Sequence, residues 1–149
     1  MIRTITEYKN YFQSMATTMG MDFVYGGSER ILSRQNMDIR YPCLWLGVPE
    51  VKRKHDGGIK KKVFDGWFIV LDDAPTDDYA EQDNIVDLME QKTESILAKM
   101  QDDSMANQFE FDIEDATSYY RGRQTADDAW GWFTEFNLMG LHASGTDCL

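Results

Sequence analysis

The stretch from Ile39 to Leu71 constrains this chain most. Two apolar runs, Tyr41–Val51 and Val63–Leu71, flank the turn sequence Asp56-Gly57-Gly58. Adjacent glycines supply the positive-φ backbone of a tight hairpin turn, so the stretch reads as two strands folded against each other. In the second run Val63, Trp67, Ile69 and Leu71 share one face, and Phe64, Phe68 and Val70 share the other. Apolar residues on both faces predict a strand covered on both sides. The first run carries Pro42 and Pro49, which lack an N–H and so belong at a strand end, a bulge or an edge.

Before the hairpin, Thr4 and Glu7 form a capping box. Ile5, Tyr8, Phe12, Met15 and Met19 then recur at helical spacing up to Gly20, a C-terminal stop. Met21–Tyr25 is a short β-prone run ended by Gly26-Gly27, and Ser28–Met37 is polar and ambiguous. There Arg30 and Arg34 would share a helical face, as solvated arginines or as an anion contact. After the hairpin, Asp78 and Glu81 open a second helix predicted to end near Met100. Its apolar side is Ile85, Leu88, Met89, Ile96, Leu97 and Met100. A polar break at Gln101–Asn107 follows. Phe109, Phe111 and Ile113 alternate with acids as a half-buried strand that Ala116–Arg123 extends or follows with another. Gln124–Asp128 reads as a loop. The closing strand is Ala129–Leu141, with Trp130, Trp132, Phe136 and Leu138 on one face, and His142–Leu149 is expected to be a frayed tail.

Strands grouped in runs, rather than alternating with helices, give the expected fold class. It is α+β: a mostly antiparallel sheet with a long protruding hairpin and two helices on one face, in a single domain over residues 1–149.

Charge divides the chain. Its net charge is −11, yet Lys52, Arg53, Lys54, Lys60, Lys61 and Lys62 against Asp56 carry +5, leaving −16 for the remainder. Those six cations at the hairpin tip are the candidate interaction site, projecting into water from an acidic body. Acidity argues against a general nucleic-acid or membrane surface. Cys43 and Cys148 make no CxxC or zinc-like spacing, and the N-terminus has no signal-peptide apolar core. The expected setting is therefore a reducing cytoplasm.

No catalytic, cofactor or metal residues emerge. His55 and His142 lack triad partners, and no phosphate-binding glycine loop occurs. The acidic loop Asp72–Asp78 lacks the ligand spacing of a calcium site and better suits the start of a helix. Trp130, Trp132, Phe133 and Phe136 could stack bases or sugars, but their alternation is that of a core strand.

The order of an amphipathic helix, a charged-tip hairpin, a central helix and a closing strand pair resembles the tail-terminator and tail-completion proteins of long-tailed bacteriophages. So does the segment Asp127-Asp128-Ala129-Trp130-Gly131-Trp132-Phe133-Thr134-Glu135-Phe136. The resemblance implies a non-enzymatic virion-assembly protein that forms a ring, commonly a hexamer, at the end of the tail tube. It would contact other virion proteins, with DNA at most passing through an acidic lumen, and would reside in the bacterial cytoplasm during assembly and then in the virion. No individual site residue transfers from that family. The alternatives are an α+β module that binds an acidic protein through the basic hairpin, and a small metal-dependent enzyme using the Asp72–Asp78 loop.

Overall fold

The computed structural model describes residues 2–26, 40–75, 77–106, 109–121 and 129–141. Arg30 and Arg34, the loop 124–128 and the tail 142–149 lie outside them.

Helix α1 (Ile5–Thr18) begins where expected: the Thr4 side chain accepts the Glu7 N–H at 3.1 Å, and Gly20 takes φ +71° beyond its end. It buries Tyr8, Phe12, Met15 and Ala16, while Ile5 faces out. Strand β1 (Asp22–Tyr25) runs parallel to β2 (Cys43–Leu46). Pro42 precedes β2, and Gly47-Val48-Pro49 breaks it from β3 (Glu50–Asp56). Pro42 therefore marks the start of the first hairpin arm and Pro49 its interruption. The second arm is unbroken: β4 (Ile59–Asp73) pairs antiparallel with β3 and then with β2. Gly57 and Gly58, at φ +58° and +85°, form the two-residue turn between Asp56 and Ile59.

Helix α2 (Tyr79–Met105) is capped by Asp78, whose side chain accepts the Glu81 N–H. It is longer than its apolar pattern predicts. Gln101–Met105 remain helical because the buried Asp103 accepts hydrogen bonds from Tyr11 on α1 and from Lys99 one turn back, both at 2.7 Å. The buried stripe uses Thr93, whose hydroxyl bonds the Met89 carbonyl, and leaves Leu88 exposed, contrary to the sequence reading.

The alternation at Phe109–Ile113 does not make a full strand. Phe109 and Phe111 are buried, but only Glu110 bridges to Met139. The Phe111 N–H and carbonyl both bond the Ser104 hydroxyl at the end of α2, and Asp112 caps a 3-10 turn at Ile113–Asp115. These local partners take the backbone groups that a ladder would have used. Strand β5 (Thr117–Arg121) follows, then β6 (Ala129–Leu141).

The sheet has six strands in the order β1-β2-β4-β6-β5, with β3 beside β4 on the β2 side. Among the described residues only the β1–β2 pairing is parallel. The fold is α+β with a mostly antiparallel sheet. Both helices share one face and one core with Leu44, Leu46, Phe64, Phe68, Val70, Trp130, Phe136 and Leu138. Across the sheet, Val24, Cys43, Trp45, Ile69, Leu71 and Ala129 form a second buried cluster, so β4 is covered on both sides as its pattern predicts. Trp130 and Phe136 are core residues, and Trp132 is half-buried with its indole N–H on the Val86 carbonyl of α2. Among the described residues no helix is long and apolar enough to cross a membrane.

Candidate functional site: the basic end of the hairpin

The hairpin projects less than its sequence suggests. The lysines lie within the β3–β4 ladder rather than in a loop, and β6 runs beside β4 as far as Lys61. An acidic segment and the N-terminus flank this end, so part of the basic set is engaged within the fold.

On the face away from the helices, Lys52 pairs with Asp65 at 2.8 Å, and Lys61 pairs with Glu110 at 2.8 Å. The Asp65 carboxylate raises the Lys52 pKa, first through the hydrogen bond and then through its charge, with Glu50 adding to it. On the helix face, the Lys62 ammonium donates to the Arg3 carbonyl at 3.0 Å. Beside it the Ile2 carbonyl occupies the space that a side chain at Gly140 would fill. Lys62 and Gly140 are direct partners across β4 and β6, so one glycine lets the N-terminal segment lie flat against the basic end.

Arg53, Lys54 and Lys60 are exposed and make no ion pair among the described residues. Register sharpens the point. Arg53 stands opposite Lys62, Lys54 opposite Lys61, and His55 opposite Lys60. Two of these three rungs set like charges directly against each other, and the third adds an imidazole beside an ammonium. Like charges so placed destabilise a sheet unless anions lie nearby. On one face such anions exist: a cleft of about 480 Å³ beside the hairpin is lined by Lys54, Glu110, Asp112 and Asp115 among others. The opposite side carries Arg53 and Lys60.

Other sequence candidates separate from this site. His55 belongs to the basic end, and Cys43 is buried in the second cluster. Asp72 and Asp73, read from sequence as the start of an acidic loop, instead end β4 opposite Trp130 and Ala129; burial raises the Asp72 pKa, the Asp73 N–H lowers it, and the Asp73 and Glu81 carboxylates add to the rise. Among the described residues no group of three metal-type side chains converges, there or elsewhere.

Two features escaped sequence reasoning. One is the edge position of β5, a strand the sequence offered without its place in the sheet, whose Tyr119 and Tyr120 are 44% and 52% exposed. The other is an aromatic row across the face opposite α1 and α2: Trp45 to Trp67 at 5.2 Å, Trp67 to Phe133 at 5.5 Å, and Phe133 to Tyr119 at 6.2 Å, with Arg121 over the Phe133 ring. It joins residues far apart in sequence, and only strand order aligns them.

No protein-family model, curated protein or solved structure matches the chain.

Proposed function

We propose that this chain is a virion-assembly protein of a long-tailed phage or prophage, one that completes or caps the tail tube through ring-type contacts between copies. The observation that carries the reading is the stack of like-charged rungs, Arg53–Lys62 and Lys54–Lys61, on a chain of net charge −11. A molecule with one concentrated basic end and an acidic remainder is complementary to a second copy of itself and to acidic neighbours. Head-to-tail contacts of that kind close into rings when the rotation between copies closes. An acidic inner wall would let DNA pass without adhering.

The test is size by light scattering over a range of concentrations, with negative-stain electron microscopy for rings. Ring-shaped particles of several copies support the reading. A strict monomer throughout, unchanged by added tail-tube protein, overturns it. That outcome would favour the second reading, a binding module that presents the same basic end to an acidic protein of another kind.

A further inference from the structure

We infer that copies of this chain join through their sheets, the outer edge of β3 in one copy adding antiparallel to the outer edge of β5 in the next. The inference rests on the assembly reading above and names the partner of the basic end as a second copy.

The acceptor is an unguarded edge. Among the described residues, neither β3 nor β5 makes backbone hydrogen bonds on its outer side. Natural edges are usually blunted by lysine, proline or a bulge, because an open row of N–H and C=O groups recruits another strand. Strand β3 carries such lysines; β5, with the sequence Thr-Ser-Tyr-Tyr-Arg, has neither lysine nor proline and a single charge, Arg121, at its end, and no residue of it is buried.

Direction agrees. Strands β3, β4, β6 and β5 are successive antiparallel neighbours. Because they are an even number, a second copy in the same orientation presents β3 antiparallel to β5. Charge and face then select a register. With Lys52 opposite Tyr119, Glu50 meets Arg121, Val51 meets Tyr120, Arg53 meets Ser118, and Lys54 meets Thr117 beside Asp115. Glu50 and Arg121 form an opposite-charge pair, and the Lys52 ammonium meets an aromatic ring.

The faces also match. Val51 lies opposite Phe64, and Tyr120 opposite Trp132, both on the helix side. Sliding by two residues in one direction sets Lys52 against Arg121, and in the other leaves Arg121 against Val48. The chosen register also brings the exposed acids Asp112, Glu114 and Asp115 of one copy toward the like-charged rungs of the next. Copies in one orientation, each using two different edges, build a polar assembly that closes as a ring or continues as a filament.

Disulfide trapping tests the contact. In a Cys148→Ser background, the double variant Lys52→Cys/Tyr119→Cys is oxidised mildly and run on a non-reducing gel. The two positions lie on opposite edges with β4 and β6 between them, so a bond between them must join different copies. A ladder extending beyond dimers is expected, whereas either single cysteine stops at dimers. Glu50→Arg and Arg121→Glu should each reduce assembly, and together restore it. Assemblies seen by light scattering without a ladder overturn the sheet contact and leave the assembly reading standing. A monomer at every concentration, with and without added tail-tube protein, overturns both.

Discussion

The hydroxyl of Tyr8 lies against Gly66, in the space a β-carbon at that position would need. The ring stacks on Phe64 at 5.1 Å and lies 6.3 Å from Phe136, and its oxygen has no hydrogen-bond partner among the described residues. Helix α1 therefore sits close over β4 and β6 at the cost of one buried, unpaired hydroxyl.

That arrangement makes a paired prediction. Gly66→Ala should destabilise by about 1–3 kcal/mol, because the added carbon drives the ring from its stack. Tyr8→Phe should be neutral or stabilising by about 1 kcal/mol, since it removes an unsatisfied group. In the double variant the cost of Gly66→Ala should shrink, and urea unfolding of all four proteins measures the coupling. Additive costs would mean that the hydroxyl is not what Gly66 accommodates.

Asp103 should behave in the opposite way. It is 8% exposed and accepts from both Tyr11 and Lys99. Asp103→Ala should cost about 1–3 kcal/mol and fray the last turn of α2, seen as faster amide exchange over Gln101–Met105. Asp103→Asn, which keeps an acceptor for Tyr11, should cost less. Lys99→Ala should cost under about 1 kcal/mol, as its ammonium is largely solvated.

The basic end should divide under mutation. Arg53→Ser, Lys54→Ser and Lys60→Ser should leave the unfolding midpoint unchanged or slightly raised, because each relieves crowding of positive charge. They should weaken assembly. Lys61→Ser and Lys62→Ser should each lower stability by up to about 1 kcal/mol, through loss of the Glu110 pair and the Arg3 carbonyl contact respectively. Equal stability effects across all five would contradict the division.

Alkaline pH should unfold the protein. Burial raises the Tyr8 pKa well above the usual tyrosine value, and burial followed by the Asp103 hydrogen bond raises that of Tyr11. The native state thus holds protons that the unfolded chain releases from about pH 10. Stability is fully present below that pH and falls as pH rises through it. Thermal unfolding between pH 8 and 11 should show the fall, and Tyr8→Phe should make it shallower.

Much of the fold was legible because local chemistry and tertiary demand agree. Thr4 and Asp78 cap their helices, Gly57-Gly58 turns the hairpin, and Pro42 and Pro49 sit at a strand start and a strand break. Misreadings arose where a distant group settled a local choice. The end of α2 depends on Tyr11, 92 residues before Asp103, and the backbone at Phe111 bonds Ser104 instead of a strand. Of the candidate site, residue identities were readable, but their engagement was not.

The amino-acid sequence by itself determined the elements, their amphipathic faces and the concentration of positive charge between Lys52 and Lys62, because these depend on near neighbours and on covalent order. Only the tertiary structure decided that Lys52, Lys61 and Lys62 are held by Asp65, Glu110 and the Arg3 carbonyl, while Arg53, Lys54 and Lys60 face outward. It alone made β3 and β5 outer edges of one sheet, since strand order is set by long-range burial and pairing that no local pattern encodes.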